Sequence, residues 1–351
     1  MTRREVGFGR GRTAEPAAAA TPDTLDDAAA AGLLPERPVR GHKGSFGRLL
    51  VIAGSLDYAG AALLVCRAAG RAGAGLVTLA VPESLQPLFA AKVLEATTLP
   101  LPEDDVEEVN PEPALARILD HEHDAIVLGP GLRPGLATTE LVGLLLAAVG
   151  EAPACPIVLD AEALRSMATI DAWWTHIGRA AVLTPHAGEF ARLRAGAGGS
   201  LGGDGDLVGD DGARATAAGA AAREWSQVVV LKGARTVIAA PDGAIAVAPF
   251  ENPALASGGT GDVLAGAIGA LLAQGCSPFD AARLGVYLHG LAGDAIRERI
   301  GDAGLLASDL PDELARARKR LGDVAAQARA GKRLGFGVRE PALPDAGGPV
   351  A

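Results

Sequence analysis

Ala125-Ile-Val-Leu-Gly-Pro-Gly-Leu132 decides the fold. Uninterrupted apolar residues ahead of a glycine turn fit a strand covered on both faces, as in a parallel sheet, better than one with a wet face. The turn itself then falls at a strand's carboxyl end, where α/β sheets bind ligands, although Gly129–Leu132 taken alone would be no more than a turn. Similar runs recur at Arg48–Ala53, Leu76–Val81, Ile157–Asp160, Ala181–Leu183 and Val228–Lys232. Helical segments at Ala61–Ala72, Thr138–Val149, Ala213–Trp225 and Ala281–Arg299 lie between or after them. That order predicts an α/β, three-layer, doubly wound fold with a mostly parallel sheet and helices on both faces. Thr236–Ala240 and Ala244–Val247, joined by Pro241-Asp-Gly243, predict an antiparallel hairpin on the sheet edge.

A hydrophobic content of 49% over 351 residues supports a sizeable core. The formal net charge of -10, with Arg316–Arg320 the one basic cluster, argues against nucleic acid as the main ligand. Cys66, Cys155 and Cys276 are far apart and lack metal-ligand spacing, which implies a reducing compartment and no structural zinc. No apolar run is long enough to span a membrane and no signal-like segment follows Arg3-Arg4, so a cytoplasmic location is expected. Residues 1–20 read as a flexible leader, 321–351 as a flexible tail, and Ala195–Gly212 as a mobile Gly/Asp-rich insertion.

Asn252-Pro-Ala-Leu-Ala-Ser-Gly-Gly-Thr-Gly-Asp262 runs straight into the apolar segment Val263–Ala273. Gly258, Gly259, Thr260 and Gly261 read as an anion hole: glycines let backbone N–H groups approach a ligand, and the next helix adds unpaired N–H groups and a positive dipole end. A carboxylate at Asp262 would repel a phosphate there unless the site needs a proton acceptor. The plainer reading is that Thr260 or Asp262 caps the helix. Other motifs follow strands: Thr184-Pro-His-Ala-Gly-Glu189, with Thr184 as a helix cap and His186 in the first turn; Lys232-Gly-Ala-Arg-Thr236, able to clamp phosphates; and Asp160-Ala-Glu162, two carboxylates on one face that position a substrate or organise a cation through water. Neither the Walker-type loop nor the G-x-G-x-x-G fingerprint is present. Each motif alone barely exceeds its structural explanation; their joint placement at strand ends favours a site.

Over residues 22–317 the chain resembles the ADP-dependent NAD(P)H-hydrate dehydratase family, a branch of the ribokinase-like superfamily. The resemblance rests on His42-Lys-Gly-Ser-Phe-Gly47, Ala53-Gly-Ser55, Ala59-Gly-Ala61, Arg71–Val77, Gly129–Leu132, Leu159-Asp160, Thr184–Glu189, Lys232-Gly233 with Thr236, Asn252-Pro253, Gly258–Asp262 and Leu288–Asp294. It implies a ribokinase-like dehydratase domain over 21–320. Glu162 stands where the family usually has Asp, Arg133 where it has Gly, and Ala254-Leu255 where it has Gly-Met. The epimerase domain fused in many relatives is not expected here, so epimerisation would fall to a separate NAD(P)HX epimerase.

The resemblance implies that ADP phosphorylates the hydroxyl of the hydrated nicotinamide of NADHX or NADPHX, releasing AMP. Phosphate then leaves and NAD(P)H is restored. Asp262 would deprotonate the attacking hydroxyl, and the Gly258, Gly259 and Gly261 N–H groups would neutralise the transferring phosphoryl. Ala61, Gly131 and His186 would contact the hydrate, while Lys232, Gly233, Ala234, Arg235, Thr236 and Gly261 would hold the adenine nucleotide. Mg2+ is expected as a phosphate-bridging ion with few protein ligands, and a tetramer as the assembly. A ribokinase-like vitamin-precursor kinase would share Asp262 and the anion hole. A non-catalytic adenine-nucleotide sensor would gain nothing from Asp262.

Overall fold

The computed structural model describes residues 22–148, 155–178, 180–196, 207 and 209–335. The expected leader at 1–20 and most of the Gly/Asp-rich insertion lie outside the described residues. In chain order the elements are β1 (Asp23–Thr24), α1 (Asp27–Gly32), β2 (Arg48–Ile52), α2 (Ala59–Ala72), β3 (Leu76–Pro82), α3 (Gln86–Ala90), β4 (Thr97–Leu101), β5 (Glu103–Asp105), β6 (Glu108–Val109), α4 (Pro111–Asp120) and β7 (Ala125–Leu128). Then come α5 (Leu136–Ala147), β8 (Ile157–Leu159), α6 (Glu162–Met167), β9 (Ala181–Leu183), α7 (Ala187–Gly196), α8 (Asp211–Trp225), β10 (Val228–Leu231), β11 (Val237–Ala239), β12 (Ile245–Val247), α9 (Thr260–Ala273), α10 (Pro278–Ile300) and α11 (Leu310–Gly335).

One sheet of ten strands runs in the order β1-β12-β11-β10-β9-β8-β7-β2-β3-β4. Neighbours from β4 to β10 are parallel, whereas β11 pairs antiparallel with both β10 and β12. Alternation along each strand divides the apolar runs between two cores. Leu49, Val51 and Val127 enter one with Val65 of α2, Leu264 of α9, Leu288 of α10 and Leu314 of α11. Leu50, Ile52, Ile126 and Leu128 enter the other with Leu145 of α5, Leu164 of α6, Phe190 of α7 and Ala218 of α8. Both faces are therefore dry, which is why the sequence shows runs rather than alternation.

The chain moves from β2 outward to β4, returns to β7 and then proceeds the other way, so the topological switch lies between β2 and β7. There the Gly129 N–H donates to Ile52 O at 3.1 Å and the Gly54 N–H to Pro130 O at 2.9 Å, joining the two strand-end loops. Gly129 has φ +119°, and a methyl group on it would lie 1.9 Å from Asp160 O and 2.7 Å from Ala163 Cβ. Gly129→Ala is thus expected to destabilise the fold by about 1–3 kcal/mol through overpacking and backbone strain, read as a lower urea midpoint. An unchanged midpoint would refute that.

Three expectations need correction. The hairpin β11–β12 is not at the sheet edge: β1 pairs parallel with β12 outside it, a two-residue strand too short to show a period. Residues 321–335 continue α11 rather than opening a flexible tail, because Leu321 is buried with Leu314 and Ala317, and Val324 and Ala325 pack against the same core. The remainder of the tail lies outside the described residues. The insertion's ends are also helical, in α7 to Gly196 and in α8 from Asp211.

Candidate functional site

The Gly-Gly-Thr-Gly-Asp stretch opens α9. Its N-cap is Gly259, at φ 89°, and no side chain accepts a hydrogen bond from the first turn. Neither Thr260 nor Asp262 caps the helix. The Thr260 hydroxyl donates instead to Leu255 O at 2.8 Å and Ser257 O at 3.0 Å, tightening the loop that enters the helix. Orphan N–H groups of a helix start are thereby left for a ligand. A side chain on Gly258 would meet nothing within 4 Å, whereas one on Gly261 would come within 3.4 Å of Lys232 Nζ and 4.0 Å of Asp160 Oδ2.

Around that helix start, strand ends assemble a charged cluster. Lys232, just past β10, donates to Asp160 Oδ1 at 2.8 Å and lies 3.8 Å from Glu189 Oε2. Asp160, just past β8, also accepts from the Thr184 hydroxyl at 2.8 Å. Burial pulls the Lys232 ammonium down, but Asp160, Glu189 and Asp262 together outweigh it and hold the group above the ordinary lysine value. Asp262 moves the other way. Burial, with the nearby Asp160 charge adding to it and Lys232 opposing, pushes its carboxyl up to about 7. A carboxyl so poised takes and gives a proton near neutrality.

Thr184 is therefore not the cap of α7. That helix begins at Ala187, and His186 and Glu189 form a reciprocal cap: His186 Nδ1 accepts from the Gly188 N–H at 3.0 Å, and Glu189 Oε2 accepts from the His186 N–H at 2.9 Å. Asp160 and Glu162 do not share a face. Glu162 opens α6, 3.4 Å from Ser166 Oγ and 3.7 Å from Arg165, and burial raises its carboxyl.

Beside the cluster lies a cavity of about 530 Å³ walled by Lys232, Gly233, Ala234, Thr236, Gly261, Leu264, Val286 and His289 among others. Five of the six residues predicted for the nucleotide line it. Arg235 instead turns to Asp211 at 3.4 Å and Glu251 at 3.9 Å. On the switch-point side, Gly131 (φ +66°) packs so that a methyl group on it would lie 2.8 Å from Ala61 Cβ, which brings these two predicted residues together.

Two further residues of the site, Arg214 and His289, carry no sequence signal of their roles. Buried Arg214 of α8 donates to Leu231 O at 3.1 Å and to Ala234 O, holding both sides of the Lys232–Thr236 turn, and Gly233 leaves room for its guanidinium. An arginine within a helix of alanines gives no sequence signal of such a role. His289 lies in the quoted Leu288–Asp294 motif, but the motif alone does not say what the imidazole touches.

The model of the NAD(P)H-hydrate dehydratase family matches residues 49–316. The bifunctional NAD(P)H-hydrate repair enzyme Nnr of Moorella thermoacetica is 44% identical over 284 residues, 80% of this chain and 51% of that protein. The chain spans about half the length of this and similar bifunctional relatives. The ADP-dependent (S)-NAD(P)H-hydrate dehydratase of Xanthomonas campestris is 37% identical over 274 residues, 78% of this chain and 89% of that protein. Among solved structures, the ADP/ATP-dependent NAD(P)H-hydrate dehydratase of Bacillus subtilis, co-crystallised with ATP and Mg2+, superposes with a TM-score of 0.71 at 33% identity, covering 86% of this chain and 100% of that one.

Proposed function

Because the chain belongs to the NAD(P)H-hydrate dehydratase family, we propose that it uses ADP to convert NADHX and NADPHX back to NADH and NADPH, releasing AMP and phosphate. The observation that carries this reading is the place of Asp262, at an uncapped helix start beside a cavity walled by Lys232, Gly233, Ala234, Thr236 and Gly261.

Hydroxide is a poor leaving group, so the ring hydroxyl is first phosphorylated. Asp262 takes the hydroxyl proton as the oxygen bonds to the terminal phosphorus of ADP, and the bond from that phosphorus to the bridging oxygen breaks to release AMP. The N–H groups of Gly258, Gly259 and Gly261 stabilise the transferring phosphoryl. In the second step the ring-nitrogen lone pair expels phosphate, the neighbouring ring carbon gives up a proton to water, and the dihydronicotinamide is regained. Lys232, Gly233, Ala234 and Thr236 hold the nucleotide, with Arg235 supporting the turn from outside. Ala61 and Gly131 contact the hydrate on the switch-point side, and His186, whose side chain is half-exposed, contacts it as well.

No set of three or more His, Cys, Asp or Glu side chains among the described residues is arranged to hold a metal ion. Mg2+ would be carried mainly by the phosphate oxygens of the nucleotide, where it would supply charge neutralisation, with Asp160 as the carboxylate that would reach it through water. The proposal extends to a homo-tetramer and to an NAD(P)HX epimerase activity as functional partner, the latter in keeping with bifunctional repair enzymes about twice the length of this chain. It also extends to the cytoplasm, in keeping with the few and widely spaced cysteines Cys66, Cys155 and Cys276. No helix among the described residues is long and apolar enough to cross a membrane.

Incubation with NADHX and either ADP or ATP should restore reduced-nicotinamide absorbance with stoichiometric AMP from ADP. No recovery with either donor, together with phosphorylation of a vitamin precursor in a parallel assay, would transfer the site to the kinase reading.

A further inference from the structure

His289 of α10 is a buried titratable group that the reaction above does not use. Its Nε2 lies 3.0 Å from the carbonyl oxygen of Thr260, the first residue of α9. A carbonyl only accepts, so the imidazole donates Nε2–H. Burial pulls its pKa down to about 4, so the ring is neutral wherever Asp262 can act as a base. The same ring walls the nucleotide cavity together with Lys232 and Gly261.

The peptide between Thr260 and Gly261 is planar and trans, so its carbonyl and its N–H point in opposite directions. A donor on the carbonyl fixes that plane and draws electron density from the N–H, which becomes the stronger donor. We infer that His289 is a positioning residue for the anion hole, orienting and polarising the Gly261 N–H toward the terminal phosphate of a bound nucleoside diphosphate from the wall of the same cavity. The inference rests on the assignment of the anion hole made above. It adds a reason why ADP should be preferred to AMP before any chemistry occurs.

Calorimetric affinities for ADP and AMP test this without requiring turnover. His289→Met removes the donor at similar volume, and His289→Gln keeps an N–H that can reach Thr260 O. In the wild type ADP is expected to bind more tightly than AMP. We expect His289→Met to shrink that preference about tenfold while leaving AMP affinity within a factor of two, and His289→Gln to restore most of it. An unchanged preference in His289→Met, equal losses for ADP and AMP, or no recovery in His289→Gln would each overturn the inference. Should His289→Met not fold, His289→Asn, whose amide is too short to reach Thr260 O, replaces it with the same expectation. Wild-type protein that shows the ADP preference but does not restore NADH from NADHX would count against the proposed reaction alone; wild-type protein with no such preference would sink both.

Discussion

Asp262→Asn is expected to lower turnover of NADHX with ADP by about 100- to 10,000-fold, the range a general base supplies, while ADP affinity stays within a few-fold. Asparagine keeps the size and removes the proton acceptor. In the wild type kcat should rise with pH through about 7, as the Asp262 carboxyl ionises. That acid limb should vanish in the variant's residual rate. Stability should respond in the opposite sense to activity. The folded pKa of about 7 exceeds the ordinary 3.8, so between those values the folded state binds more protons than the unfolded chain, and ionisation costs stability as pH rises. Above neutrality Asp262→Asn should therefore melt a few degrees higher than wild type, and at pH 4 the two should converge. Normal turnover in the variant would remove Asp262 from the role of base.

Lys232→Met should be the other large effect. The ammonium compensates Asp160 and Glu189 directly and opposes the rise at Asp262. Breaking a buried charge pair on one side costs about 3–5 kcal/mol, much of it from the carboxylate left behind. The kcat/KM for ADP should fall by about 100-fold or more, because a phosphate would enter a pocket of unmatched negative charge. With Lys232 gone, the acid limb of the pH–rate profile should move to higher pH. A profile left in place would mean that Lys232 does not act on Asp262.

Residues carry their fold signal unequally. Ala125–Leu128 and Val228–Leu231 were legible because a strand buried on both faces has no polar positions. Edge strands lack that signature: β4 exposes Thr97 and includes Pro100, and β1 is two residues long. The tail carries little burial signal because α11 beyond Leu321 is rich in Ala, Arg and Lys, and its contacts with the core there are sparse, through Leu321, Val324 and Ala325. At the candidate site, motifs of glycines and charges at strand ends were readable, since few structural needs place them there. Side-chain direction was not. Thr184 looked like a cap by spacing, yet the pull of Asp160 turned its hydroxyl inward. Arg214 reaches the Lys232–Thr236 turn from α8, a contact that exists only once the sheet has been assembled.

Helix α9 is buried along nearly its whole length, from Thr260 through Ala273. Gly266 lets it lie against the backbone of α2, where a methyl group would come within 2.5 Å of Val65 O, and Gly269 lets it lie against Val127 of the sheet. Its far end is fastened as well, with Gln274 bonded to Ala72 O and Arg318 to both Gln274 and Ala72 O. Elements so enclosed belong to the portion of a protein that opens only when everything opens. Asp262 therefore rides on the keel of the molecule and not on its rigging. A methyl group added at Gly269, far from any ligand and 2.3 Å from Val127 Cγ2, would push on the helix that carries the carboxylate.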